Sequence, residues 1–479
     1  MRAAIISFST ILCLGMLSLP DQAQGQLDPA TKQLSHDIFQ QLIEINTTDT
    51  PQGNVTTAAK AMQQRFLDAG FAPSDAQVLG PNDRKQNLVV RLHGSGAHQP
   101  ILLIGHLDVV QALPSDWTTD PFKFIEKDGY YYGRGTQDMK GDDATLITTF
   151  IRFKKEGFKP DRDLILALTA DEEGGKSNGV DWLVKNHRDL VNAAYVLNAD
   201  GGGVRTEHGK PVYIGISGSE KLYADYQLTT TDPGGHSSLP RPDNAIYELT
   251  DGLNRLENFK FRFELNPVTR GYFERMSTIA KGQTAADMKA ILGEPPDAAA
   301  IQRLSADPDV NALLRTTCVA TRLEGGHANN ALPAMARANV NCRILPGHSR
   351  EEVRQDIIRV LNDPKITVRY VSNSYVISNR APDAKALPPA VPRPEVMQAL
   401  EKIGAQMWPG APVVPTMEAG ASDGVYTNGA GMPTYMVSGM ALDGDDIRAH
   451  GKDERLPVKS FYDGVDFYYR FLKTLTSAP

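Results

Sequence analysis

The chain is short of cysteine, with three in 479 residues. That excludes a disulfide scaffold and a Cys-rich zinc module. It also lacks a basic excess: 50 Lys and Arg stand against 57 Asp and Glu, a net charge of −7. No positive field is therefore available to hold nucleic acid. Beyond the amino terminus no run of 18 consecutive apolar residues occurs, so no transmembrane segment is expected there. His-Glu-x-x-His is absent, which excludes a thermolysin-type endopeptidase. Gly133-Arg-Gly135 has no third glycine at dinucleotide-binding spacing and no strand immediately before it. There is no internal repeat. What remains is an ordinary globular composition, 41% hydrophobic and 22% charged, long enough for two or three domains.

Arg2 is followed by the apolar run Ala3 to Pro20 and then small residues at Ala23 and Gly25. A basic start, a short apolar stretch and a small-residue exit read as a signal peptide cut after Gly25. Export to the periplasm or medium is expected, with no membrane anchor after processing. Two cysteines survive, Cys318 and Cys342, in β-like runs flanking the Gly- and Asn-rich loop Gly325 to Ala331. Their midpoint falls in that loop, so an antiparallel hairpin would set them face to face, within disulfide range. A disulfide is expected.

Helical periodicity covers Leu27 to Leu67, with a break at Asn46 to Gly53. Apolar strand runs follow at Asn87–Leu92, Pro100–Ile104, Asp163–Thr169 and Ala193–Asn198, with helical segments between them. Near-continuous apolar strands alternating with helices predict a mostly parallel sheet covered on both faces. After Ser217 the texture changes. A half-exposed strand at Lys221–Thr231, a helix at Asn244–Asn258, the cysteine hairpin, a helix at Ser349–Leu361 and a strand at Ile366–Val371 follow. This β-α-β-β-α-β order predicts a ferredoxin-like α+β unit. A helix-rich stretch interrupts it at 261–310. The predicted organisation is a signal peptide at 1–25, a catalytic domain in two parts at 26–217 and 376–479, and an inserted lid at 218–375.

Four segments in succession carry ligand-type side chains. His106-Leu-Asp108 follows the strand ending at Ile104, and its two polar side chains share a face. Asp138 sits in the glycine-rich Gly133 to Gly141. Asp171-Glu172-Glu173 follows the strand Asp163–Thr169, and Asp200 follows Asn198. Adjacent carboxylates repel, and cations relieve that repulsion. His450 lies in a late loop.

These motifs, with Gly235-His236-Ser-Ser, Asn330-Ala-Leu-Pro333, Arg343 and His450-Gly-Lys-Asp-Glu454, resemble the M20 family of co-catalytic zinc exopeptidases and amidohydrolases. The resemblance runs in family order from residue 105 to 454. It implies a three-layer α/β catalytic domain of the zinc-exopeptidase type with an inserted ferredoxin-like lid and dimerisation domain. It implies two Zn2+ per subunit, replaceable by Co2+ or Mn2+. His106 and Asp200 would hold one ion, Glu173 and His450 the other, and Asp138 both. Glu172 would be the general base, and Asp108 would orient His106. The Asp138–Met139 peptide is expected to be cis. His236 would reach the active site of the partner in a homodimer and stabilise the oxyanion, while Asn330 and Arg343 would hold the substrate. Asn341 departs from the family, which has an acid there.

The implied activity is carboxypeptidase-like hydrolysis of a small peptide or N-acyl amino acid with a free carboxylate; a dipeptidase shares the same catalytic residues. Two other readings compete. Gly420-Ala-Ser422-Asp-Gly424 fits a serine nucleophile elbow, with His450 in the right chain order. An inactive peptide- or metal-binding homologue is the non-enzymatic alternative.

Overall fold

The computed structural model describes residues 27–477 except Ser374 and Ala386. The signal-peptide reading lies outside the described residues. Among them, no helix is long and apolar enough to cross a membrane.

The main sheet has ten strands. At its centre, Leu164–Thr169, Ile101–His106, Tyr195–Asn198 and Thr434–Met436 lie side by side in parallel. Their apolar residues bury alternately on two faces. Leu103 and Leu166 join the core under the helices Pro29–Glu44, Lys140–Glu156, Pro394–Met407 and Val458–Thr476. Leu102, Ile104 and Ile165 join the core on the other face, which the helix Gly179–Asn186 covers. Two apolar faces on every central strand force two covering layers, so the architecture is a three-layer α/β sandwich.

The sheet is mixed rather than mostly parallel. Asn87–Leu92 runs antiparallel to Leu164–Thr169, and Gly203–Glu207 runs antiparallel to Lys210–Glu220. A short connection explains the second pair. A two-residue turn at His208 and Gly209 can join only antiparallel strands.

A second sheet of five strands has the order Thr317–Gly325, Met335–Ile344, Leu222–Thr231, Thr367–Val371, Ile377–Ser378. The helices Ala245–Glu257 and Arg350–Leu361 pack on one face around Tyr226, Leu228, Val340 and Ile357. Ser349 and Glu352 form a capping box that starts the second helix. Cys318 faces Cys342 in register, and the two are joined as a disulfide. Four helices, Pro267–Ile279, Gly282–Ala290, Ala298–Leu304 and Pro308–Leu314, interrupt this unit around their own small core at Phe273, Ile291 and Leu304.

Candidate active site

His106 ends a fully buried strand, and Asp200 follows the end of its neighbour Tyr195–Asn198. Asp138 lies two residues before the helix Lys140–Glu156, and the Asp138–Met139 peptide is cis. Glu173 follows the strand Leu164–Thr169, and His450 sits in a loop with φ 63°. These five residues, far apart in sequence, form two overlapping groups: His106, Asp138 and Asp200, and Asp138, Glu173 and His450. Asp138 Oδ1 is 3.0 Å from His106 Nε2, and Asp138 Oδ2 is 3.0 Å from His450 Nε2. Asp200 Oδ1 is 4.0 Å from His106 Nε2, and Glu173 Oε2 is 2.8 Å from His450 Nε2. One carboxylate thus faces two histidines, one with each oxygen.

The donor set fits metal ions. His106 Nε2 and Asp138 Oδ1 are buried and adjacent, yet neither has a hydrogen-bond partner. Buried polar atoms are normally satisfied, so atoms that converge without bonding mark a place for a cation. The electrostatics agree. Burial opposes charge on His106, yet Asp138 and Asp200 hold it well above the ordinary imidazole range. Hydrogen bonds to Asp138 and Glu173 raise His450 to about 10. Burial drives the Glu172 and Asp200 carboxyls well above their usual range. The cluster draws positive charge onto its histidines and protons onto Glu172 and Asp200, the pattern of a pocket whose charges suit cations.

Asp108 makes a different contact from the one expected. Its backbone oxygen is 3.0 Å from His106 Nδ1, whereas its carboxylate lies 3.9 Å away. The carboxylate instead accepts from the backbone N–H groups of Glu172 and Glu173, at 3.2 and 3.0 Å. Burial pushes Asp108 up to about 7, against the pull of His106 and those two donors.

Sequence reasoning assigned no role to several supporting groups. Glu454 is fully buried, and its carboxylate accepts from the backbone N–H groups of Gly135, Gln137 and Asp138 and from Arg134. It therefore holds the loop that carries Asp138. Lys85 reaches Asp171, which has φ 59°, and so braces the turn bearing Glu172. Asp423 accepts from Thr169 and Asn178 behind the site. Among these, Glu454, Asp171 and Asp423 lie inside quoted motifs, whereas Lys85 carried no sequence signal.

Three expected site residues lie elsewhere. His236 is exposed, its Nδ1 meets Ser238 Oγ at 2.8 Å, and its short strand pairs with Ala331–Leu332. Ser237 N–H donates to the Asn330 carbonyl, so His236 and Asn330 share one tip of the second unit. Arg343 stacks on Tyr223 at 4.9 Å and lines a cavity of about 620 Å³ with Asp225, Asn341 and Tyr375. Asp225 accepts from Asn341 at 3.0 Å, so an acid on the adjacent strand stands where Asn341 replaces one.

The serine-hydrolase reading fails on geometry. Ser422 Oγ donates to Glu220 at 2.9 Å, and the His450 ring nitrogen instead faces Asp138 and Glu173.

The model for Peptidase family M20/M25/M40 matches residues 102–474. A probable carboxypeptidase S-like protein of Dictyostelium discoideum is 32% identical over 390 residues, covering 78% of this chain and 71% of its own length. An N-fatty-acyl-amino acid synthase/hydrolase of Xenopus tropicalis is 29% identical, covering 78% and 72%. The structure of an M20 family metallo-carboxypeptidase from Sulfolobus solfataricus superposes with a TM-score of 0.69 at 17% identity, covering 92% of this chain and 99% of that one. The match spans both parts of the main sheet and the unit between them, and it includes every residue of the two ligand groups. The chain belongs to peptidase family M20/M25/M40 and is a hydrolase of the metallopeptidase type.

Proposed function

We propose that this chain is an exported two-metal exopeptidase or amidohydrolase. It cleaves the amide bond of a small peptide or N-acyl amino acid bearing a free carboxylate. The observation that carries this reading is Asp138, whose two oxygens face two different histidines at 3.0 Å. His106 and Asp200 would hold one zinc ion, Glu173 and His450 the other, and Asp138 both. Cobalt or manganese suits the same nitrogen and oxygen donors. When bound, such ions polarise an amide carbonyl and lower the pKa of water towards about 7.

The chain's own residues supply the proton chemistry. Glu172 adjoins the ligand Glu173, and its burial favours the protonated form. In its carboxylate form Glu172, made more basic by that burial, accepts a proton from the attacking water and passes it to the leaving amine. Asp108 fixes the turn that carries it. Arg343 pairs with the substrate carboxylate through two parallel hydrogen bonds, and Asn330 also holds the substrate. His236 acts across a homodimer formed through the lid, donating to the oxyanion, a contact worth about 3–4 kcal/mol. The catalytic domain is residues 26–217 and 376–479, and the lid is 218–375. A dipeptidase is the second reading, because it would use the same catalytic residues.

The test is a screen of dipeptides and N-acyl amino acids against protein loaded with zinc or cobalt, read by released amine. Turnover that is lost to a chelator and restored by metal is expected. Full activity in chelator, or a fully active monomer, overturns the metal or the His236 assignment respectively.

A further inference from the structure

A second cavity, of about 390 Å³, opens beside Asp200 and is lined by none of the residues that surround Arg343. One wall consists of strand ends of the main sheet, with Val204, Met417 and Met440. The other wall is the inserted helices, with Tyr272 from Pro267–Ile279 and Leu313 from Pro308–Leu314. The insertion is fixed against the sheet rather than loosely appended. Val268 and Leu313 pack on Met417, and a Cβ on Gly271 would stand 3.1 Å from Pro415. The wall nearest the ligands is Gly201 to Gly203, all with positive φ. A Cβ on Gly202 would meet the Met436 carbonyl at 2.7 Å, so no side chain closes the cavity off from Asp200 on that side.

We propose that this cavity receives the group on the acyl side of the scissile amide, an uncharged apolar chain, and that the inserted helices set its length. The inference rests on the hydrolase reading above. Under that reading Arg343 takes the carboxylate on the amine side. The acyl side must then leave the metal centre in another direction, and the cavity beside Asp200 offers one. Its volume lies in the range of about 300–1,000 Å³ typical of small-molecule pockets. Methionines on its wall adapt to a flexible chain. Two of its acidic groups, Asp142 and Glu418, do not call for a cation, and Asp309 and Arg205 also line it with opposite charges. Asp142 is turned to Ser438 Oγ at 2.8 Å, and burial pushes its carboxyl up to about 8 and raises that of Glu418 as well.

The test uses the full mature chain loaded with zinc and the acetyl, hexanoyl and decanoyl conjugates of phenylalanine, each read by released amine. Wild type should show a kcat/KM at least tenfold higher for hexanoyl than for acetyl. Leu313→Trp should lower the hexanoyl-to-acetyl ratio at least tenfold by filling the cavity. Tyr272→Ala should raise the decanoyl-to-hexanoyl ratio at least threefold by enlarging it, and this variant carries the test if Leu313→Trp does not fold. Ratios that stay within twofold of wild type in the folded variants overturn the pocket. A wild type that releases amine from dipeptides but shows no dependence on acyl length also overturns it, while leaving the hydrolase reading intact. A wild type that releases amine from no conjugate and no dipeptide overturns that reading, and the pocket falls with it.

Discussion

Replacing Asp108 with asparagine should uncouple the two halves of the metal centre. The Asp108 side chain is buried, and its two oxygens accept the N–H groups of Glu172 and Glu173 at 3.2 and 3.0 Å. Asparagine keeps one acceptor and turns an NH2 group towards the other backbone donor. One charge-assisted hydrogen bond, worth about 1.5–3 kcal/mol, is lost, and one buried N–H is left facing a donor at a cost of about 1–3 kcal/mol. That penalty is relieved by moving the 172–173 turn. Glu173 would then shift from His450, and Glu172 would shift from the reacting centre. Loss of such a support typically lowers metal affinity or activity about 10–100-fold. We expect the affinity of the ion shared by Glu173 and His450 to fall by that factor in a chelator competition. We expect kcat at saturating zinc to fall at least tenfold, with KM within about threefold. If affinity and kcat both stay within twofold of wild type, the coupling is wrong. If only the ion held by His106 and Asp200 weakens, Asp108 acts through His106 instead.

Glu172→Gln should keep both metal ions by elemental analysis while kcat falls about 10²–10⁴-fold, the usual worth of a general base; normal turnover would remove Glu172 from the mechanism. A serine-directed reagent should leave activity intact, because Ser422 is bound to Glu220, and inactivation by it would revive the elbow reading. Lys221 is buried, and burial lowers it from 10.5 to about 7. Between about 7 and 10.5 the unfolded chain therefore holds a proton that the folded chain does not, so stability rises with pH by about 1.4 kcal/mol per unit from this residue. In urea unfolding, Lys221→Met should shrink the stability gain from pH 7.5 to 9.5 by about 2 kcal/mol, and an unchanged gain would contradict the assignment. Replacing Cys318 and Cys342 together by serine should lower unfolding free energy by about 3 kcal/mol, the chain-entropy value for a loop of this size. Two titratable thiols in the native wild type would refute the disulfide.

The sequence made legible the parts of this fold that rest on local periodicity. Leu164–Thr169 and Tyr195–Asn198 are buried at every position, and an all-apolar run announces a central strand. Strand direction is not written in such a run. The antiparallel member Asn87–Leu92 therefore fell under the parallel expectation. Three of the candidate ligands, His106, Glu173 and Asp200, were legible because each lies at or just after a strand end, where α/β folds place their sites. Their supports were not, because Lys85 meets Asp171 and Glu220 meets Ser422 across long stretches of chain with no spacing signal.

Asp108 and Glu454 show why two of the motifs are longer than the ligands they contain. Each is a buried carboxylate that spends its oxygens on backbone N–H groups. Asp108, two residues after the ligand His106, holds the turn bearing Glu173. Glu454, four residues after the ligand His450, holds the loop bearing Asp138. Each motif thus carries a ligand for one group and the clamp for a ligand delivered by a different strand end. A carboxylate can clamp two donors at once only if the two turns close to the right separation. The five candidate ligands are therefore positioned by mutual constraint between strand ends and loops, and a substitution at either clamp should be felt at a candidate ligand more than sixty residues away.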